Sequence, residues 1–205
     1  VDIAVTRADR TLRTAFRADG GLTALFGPSG SGKTSALDAV AGLVRPVEGR
    51  IVVANTVLFD AQMKVDLAPE ARACGYVFQD SRLFPHQTVQ QNLLYGWSLA
   101  SEERRWMKAD DAVEFLGIGH LLKRMPRHLS GGEAQRVAIG RALLAGSRFL
   151  LMDEPLASLD AARREEIMRV IERIRDELRL PILYVSHDRG EVERLADLVV
   201  HMPNW

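Results

Sequence analysis

Short apolar runs alternate with amphipathic stretches along the chain, and that alternation predicts a layered α/β fold. Leu22 to Phe26, Arg50 to Ala54 and Cys74 to Phe78 read as strands. Phe149 to Met152 and Ile182 to Val185 are continuous apolar runs of the kind buried on both faces of a parallel sheet. Lys33 to Leu43 carries Leu37, Val40 and Ala41 at helical spacing, with Gly42 near its end. Glu133 to about Leu144 is amphipathic, and residues 161–178 put Ile167, Val170, Ile171, Ile174 and Leu178 on one stripe. The opposite Arg/Glu-rich face, with Glu165 and Arg169 at i,i+4, is expected to be solvated. Residues 88–125 are mostly helical in pattern, with charges clustered at 101–105. No internal repeat, low-complexity tract or coiled-coil heptad interrupts this order.

Composition narrows the classes. With 205 residues the chain suits one α/β domain carrying a small inserted subdomain. Lys plus Arg number 27 and Asp plus Glu 27, so no net field draws the chain to nucleic acid or anionic lipid. Cys74 is the single cysteine, which rules out an intrachain disulfide. No stretch approaches the roughly 18 apolar residues of a membrane span, and the start of the chain lacks the apolar core of a signal peptide. The expected location is the cytosol, with any membrane link made through a partner. The chain opens at Val1 without a methionine and stops at Trp205 just after Leu198-Val199-Val200, which suggests trimming or a longer natural protein.

The candidate chemistry lies in several segments. Gly27-Pro28-Ser29-Gly30-Ser31-Gly32-Lys33-Thr34, between a strand and a helix, fits the phosphate-binding P-loop. Its glycines let backbone N–H groups converge on phosphate oxygens at a helix N-terminus; Lys33 would meet the β- and γ-phosphates, and the Thr34 hydroxyl a Mg²⁺ ion. Asp153 ends a buried apolar strand, where an unpaired carboxylate is costly unless a cation relieves it, and Glu154 adds a second acid. Leu129-Ser130-Gly131-Gly132-Glu133-Ala134-Gln135 is a second Gly-rich turn leading into a helix, hence a second anion site or simply a serine N-cap. Asp160 of Ser158-Leu159-Asp160 suits an N-cap for residues 161–178. Gln79 and His187 each follow a strand, whereas His86, His120, His128 and His201 have no metal-ligand spacing.

Taken in order, these segments resemble the ATP-binding cassette (ABC) family over nearly the whole chain. The resemblance implies an α/β fold: a P-loop NTPase cassette with a RecA-like mixed-sheet core, an N-terminal antiparallel β-subdomain and a helical subdomain inserted at about 88–145. Residues 1–205 would form a single ABC ATPase domain. It also implies that Gly27, Pro28, Ser29, Gly30, Ser31, Gly32, Lys33, Thr34 and Ser35 bind ATP, and that Thr34, Gln79 and Asp153 serve Mg²⁺. Lys33, Gln79, Glu154 and His187 would be catalytic, Glu154 acting on the attacking water and His187 bonding the γ-phosphate. Family members pair head to tail, so Ser130, Gly131, Gly132 and Asp160 would act on the partner's nucleotide in a homodimer. The family's aromatic contact to adenine has no counterpart in residues 1–15, which hold no Phe, Tyr, Trp or His. An aliphatic or arginine contact is the expected replacement.

A narrower likeness lies in Gly75 to His86, in Asn92-Leu93-Leu94-Tyr95-Gly96 and in Leu156-Ala157-Ser158-Leu159-Asp160. These resemble the ATPase subunit of molybdate importers, although sulfate, polyamine and sugar importers share much of them. Implied partners are an integral-membrane permease and, indirectly, a substrate-binding protein, with the chain peripheral on the cytoplasmic face of the inner membrane and no nucleic acid. Such subunits usually carry a C-terminal small-β regulatory domain, which is expected to be missing. ABC ATPases of DNA repair place long heptads between their halves, but only 120 positions (153 − 33) separate Lys33 from Asp153. Translation-associated members carry two cassettes per chain, and one is present.

Overall fold

The computed structural model describes residues 1–7 and 10–202. Residues 8, 9 and 203–205 lie outside the described residues, and with them part of the stretch expected to meet adenine and the stop at Trp205. Among the described residues ten strands form two five-stranded sheets. The first, in the order β2-β1-β4-β5-β6, contains β1 (Asp2–Arg7), β2 (Arg10–Ala15), β4 (Glu48–Val53), β5 (Thr56–Asp60) and β6 (Val65–Asp66). All its pairings are antiparallel. The second, in the order β10-β3-β9-β8-β7, contains β3 (Leu22–Phe26), β7 (Cys74–Val77), β8 (Phe149–Asp153), β9 (Ile182–Ser186) and β10 (Leu198–His201). It is parallel throughout, as its continuous apolar runs require.

Alternation along these strands divides the core. Leu25, Leu151 and Val185 face one side, where they pack with Leu37 and Val40 of α1 (Lys33–Ala41) and with Ile3, Ile51 and Phe59 of the antiparallel sheet. Ala24, Leu150, Met152 and Tyr184 face the other side. There they meet α2 (Val89–Leu99), α3 (Ala109–Leu116), α4 (Gly131–Leu144), α5 (Ala161–Arg173) and α6 (Arg189–Leu195). Residues 89–144 between β7 and β8 are helical or turn, with no strand. No helix among the described residues is long and apolar enough to cross a membrane.

The elements follow the sequence pattern with physical departures. β4 and β5 are joined by Ala54 and Asn55, both left-handed (φ 46° and 61°), the two-residue turn that suits a twisted hairpin. β7 stops at Val77, one residue short of the expected end, and the ring of Phe78 stacks on Tyr76 with centroids 4.0 Å apart. The helix expected over 161–178 is α-helical only to Arg173. A π-turn covers Ile174–Leu178 and ends at Arg179 in the left-handed region.

One buried cation anchors the helix that follows the P-loop. Arg72 is 2% exposed and lies beyond the C-terminal end of α1. Its guanidinium donates to the carbonyls of Ala39 and Val40 (2.8 and 2.9 Å), to Leu67 O (2.8 Å) and to the Asp66 carboxylate (3.0 Å). A positive charge there answers the helix dipole, and the guanidinium donates to carbonyls of the last turn of α1. Arg72→Met is expected to lower the unfolding free energy by about 3 kcal/mol. The measurement is a lower urea midpoint at unchanged slope.

Candidate functional site

Parallel pairing brings the C-terminal ends of β3, β8 and β9 to one edge: Phe26 lies beside Ser186, and Asp153 beside Val185. The turns leaving these strands carry Gly27–Gly32, Glu154 and His187, so chemistry distant in sequence converges where open α/β sheets bind ligands. A cavity of about 580 Å³ lies elsewhere, lined by Phe16, Val53, Phe149 and Leu183. None of Lys33, Asp153, Glu154 or His187 lines it.

The turn after β3 is shaped by glycine where shape matters. Gly30 and Gly32 are left-handed (φ 82° and 83°), and a side chain at Gly27 would meet Met202 O and Ser31 Oγ. Gly32 caps α1 without a side-chain hydrogen bond, and the first turn holds no acidic residue, so its N–H groups point outward uncompensated. Ser31 Oγ is buried without a hydrogen-bond partner. Lys33 is 4% exposed, and its ammonium donates to two neutral carbonyls, Gly27 O at 2.8 Å and Pro28 O at 2.9 Å. Burial pushes the Lys33 ammonium below its ordinary value, while the charges of Glu154 and Asp153 pull it back up. These groups make a basic cradle with donors to spare, suited to a polyphosphate.

Thr34 lies beside the acids. Its hydroxyl donates to Asp153 Oδ1 at 3.0 Å. Burial raises the Asp153 carboxyl above the ordinary carboxylate range; the Thr34 hydrogen bond lowers it, and the Glu154 and Asp38 charges raise it further. A hydroxyl and one carboxylate suit a hard divalent ion that keeps most of its coordination for water and phosphate. Among the described residues no group of three or more His, Cys, Asp or Glu could hold a metal on its own. Glu154 takes a left-handed backbone (φ 44°), and its N–H donates to Val185 O at 3.1 Å. Its Oε2 lies 3.1 Å from Nδ1 of His187, whose side chain is half exposed. Ser35 continues α1, half-buried, while Pro28 and Ser29 are exposed at the loop tip.

The second Gly-rich turn is built separately. Ser130 caps α4 in a reciprocal box: its Oγ accepts from Glu133 N (3.3 Å) and its N–H donates to Glu133 Oε2 (2.7 Å). The Ser130 N–H holds the Glu133 carboxyl below its ordinary value. Side chains at Gly131 and Gly132 would press on Leu159 and Arg163, so this turn abuts the segment of Asp160, which caps α5 through Arg163 N (3.0 Å). Among the described residues, no hydrogen bond or ion pair joins Ser130–Gly132 or Asp160 to Lys33, Thr34, Asp153 or Glu154. One chain thus carries two Gly-rich turns leading into helices, with no hydrogen bond or ion pair between them among the described residues.

Gln79 is exposed in the turn after β7. The loop beyond it is clamped: Ser81 and Arg82 are both left-handed (φ 58° and 42°), and Arg141 of α4 donates to both their carbonyls (3.1 and 2.7 Å). Ser81 Oγ is 2.5 Å from Gln135 Oε1, and the buried Asn92 side chain bonds both N–H and C=O of Phe84. Sequence reading missed Arg141, Gln135 and Asn92, because polar residues on amphipathic helices carry no mark of an inward hydrogen bond.

Residues 17–157 match the ABC transporter family. A protein of Rhodospirillum rubrum named "Molybdenum import ATP-binding protein ModC" is 58% identical over 202 residues, 98% of this chain and 55% of its own length. The chain therefore spans about half the length of the curated relatives it matches. A solved Clostridium perfringens structure, cbiO1 of the ABC transporter complex cbiONQ, aligns with TM-score 0.79 at 28% identity over 98% of this chain and 82% of that one. A dimeric ATP-binding cassette in a post-hydrolysis state, bound to ADP and Pi, aligns with TM-score 0.76 at 25% identity over 98% and 91%.

The raised Asp153 carboxyl sets a sign for stability. Its folded-state affinity for the proton exceeds the unfolded one, so its stabilising contribution is present at acid pH and lost as pH rises through the raised value. At neutral pH the ionised group is a cost. Asp153→Asn is expected to raise the melting temperature of the nucleotide-free protein at pH 7.5 while removing the further stabilisation by ATP with Mg²⁺, both read by thermal melts.

Proposed function

The chain belongs to the ABC transporter family, and we propose that it is the ATP-hydrolysing subunit of an importer that carries molybdate across a membrane. One observation carries the mechanism: two Gly-rich turns leading into helices, Gly27–Gly32 and Ser130–Gly132, stand in one chain with no hydrogen bond or ion pair between them among the described residues. We read both as phosphate-binding. A second copy placed head to tail supplies the missing half, so Ser130, Gly131, Gly132 and Asp160 of each subunit close over the nucleotide of the other. The relative's name, shared by others at 52–56% identity, supports the cargo.

Within each half-site, backbone N–H groups of residues 29–35 hold the β- and γ-phosphates, and Lys33 exchanges its two neutral carbonyls for phosphate charge. The unpartnered Ser31 hydroxyl and the uncapped α1 N-terminus fit such a ligand. Thr34, Asp153 and Gln79 would hold Mg²⁺, and the ion would supply neutralisation of phosphate charge. Glu154 orients and polarises the attacking water, and His187, kept beside it at 3.1 Å, bonds the γ-phosphate. Positioning and electrostatics carry such a reaction.

The helical segment at about 88–145 forms a subdomain of the 1–205 ATPase domain, and a further C-terminal regulatory domain completes the natural protein. The surface around Gln79 to His86 drives an integral-membrane permease, which meets a substrate-binding protein on the far side. The chain sits on the cytoplasmic face of the inner membrane and takes no nucleic acid partner.

Two measurements test this. Glu154→Gln is expected to keep ATP binding, lower turnover by about 100-fold or more, and trap an ATP-bound dimer by gel filtration. A monomer with normal turnover would remove Glu154 from its role. Deletion of the gene is expected to abolish molybdenum accumulation at trace molybdate, leave sulfate uptake intact, and be rescued by wild type but not by Glu154→Gln. Unchanged molybdenum would keep the ATPase and discard the cargo.

A further inference from the structure

The mechanism above leaves the buried carboxylate of Glu191 unused. Glu191, in the first turn of α6, is 6% exposed. Its Oε2 accepts two hydroxyl hydrogen bonds, from Ser186 Oγ at 2.7 Å and from Tyr184 at 2.8 Å. Ser186 Oγ in turn accepts from the N–H of Asp188 at 3.0 Å, and Asp188 Oδ1 accepts from Glu191 N at 3.1 Å. Arg164 faces the same group from α5, 3.4 Å from Asp188 Oδ2 and 3.9 Å from Glu191 Oε1. The result is a closed ring of hydrogen bonds around the three-residue turn Ser186-His187-Asp188.

His187 sits in the middle of that turn, yet its own side chain is half exposed and pairs with Glu154. Packing does not aim an exposed imidazole; the backbone beneath it must. A buried carboxylate accepting two hydroxyls in a low-dielectric setting is a stiff support for that backbone. We propose that Glu191 is a positioning residue for His187, acting through Ser186 to fix the turn from which the imidazole reaches Glu154. The proposal rests on the role given to His187 above.

Tyr184 supplies the control. Tyr184 and Ser186 donate to the same oxygen of Glu191, but only Ser186 continues into the His187 turn. Tyr184 lies in the middle of β9 among core residues. A role confined to holding α6 on the sheet would make the two hydroxyls equivalent.

The test measures kcat and KM for ATP, with melting temperature, on the full-length protein carrying Ser186→Ala, Tyr184→Phe, Ser186→Thr or His187→Ala. Ser186→Ala and Tyr184→Phe are expected to lower the melting temperature alike. Only Ser186→Ala is expected to reduce kcat, by roughly tenfold or more with KM changed less than about twofold, since small misplacements of a reacting group are costly. Ser186→Thr, which keeps the hydroxyl, is expected to recover turnover. Should Ser186→Ala fail to fold, the near-isosteric and weakly donating Ser186→Cys takes its place. An inactive His187→Ala with equal kcat in the Ser186 and Tyr184 variants would overturn the positioning role alone. Wild-type turnover in His187→Ala would overturn the role of His187, and the positioning role with it.

Discussion

Everything at this site hangs on the lateral pairing of β9 between β3 and β8. Neighbouring strands lie about 4.8 Å apart, so the turns that leave their ends cannot separate without breaking the ladder. β9 is buried at all five positions, with Tyr184 packed among the helices on one face and Val185 against α1 on the other. A slip of one residue would exchange those faces and drive the Tyr184 hydroxyl into an apolar cluster. The register that keeps His187 beside Glu154 is therefore enforced by core packing several residues away from either.

On that frame the site is kept electrostatically incomplete. Lys33 is a buried cation resting on neutral carbonyls, and Asp153 is a desolvated acid answered by one hydroxyl. Neither is well satisfied, and burial moves both toward their neutral forms. A polyphosphate accompanied by a divalent cation relieves both at once, which neither an anion nor a cation alone would do. Under the function proposed above, a preference for the pair would follow from this shared deficit rather than from a tight cage around either ion.

The parts legible in the sequence were those where one physical demand dominates. The strands at 22–26, 149–153 and 182–186 appear nearly where apolar continuity put them, and the α/β fold with its separate antiparallel sheet is as expected. Ser130 and Asp160, each open to a capping reading, do cap their helices. Periodicity could not see the π-turn at 174–178, because Ile174 stays buried through it and the stripe continues unbroken. Nor could it place Phe78, whose ring lies under Arg82 at 4.1 Å instead of continuing β7. Glu191 and Arg72 were illegible for a shared reason. Each is a charged residue in a polar stretch, and its burial exists only once distant strands and helices have assembled around it. Lys33, Thr34, Asp153, Glu154 and His187 do converge, whereas Ser130–Gly132 and Asp160 form a cluster of their own.

Glu154 stands in a left-handed conformation that glycine or asparagine would occupy with less strain, its N–H tied to Val185. The backbone and the chemistry therefore ask for different residues at one position. With Glu154 in the role proposed above, a population of variants screened for heat resistance alone would drift there toward glycine, gaining robustness while losing turnover. The acid at position 154 persists only where the screen also rewards hydrolysis, which makes its presence in any stabilised descendant a direct record of which pressure was applied.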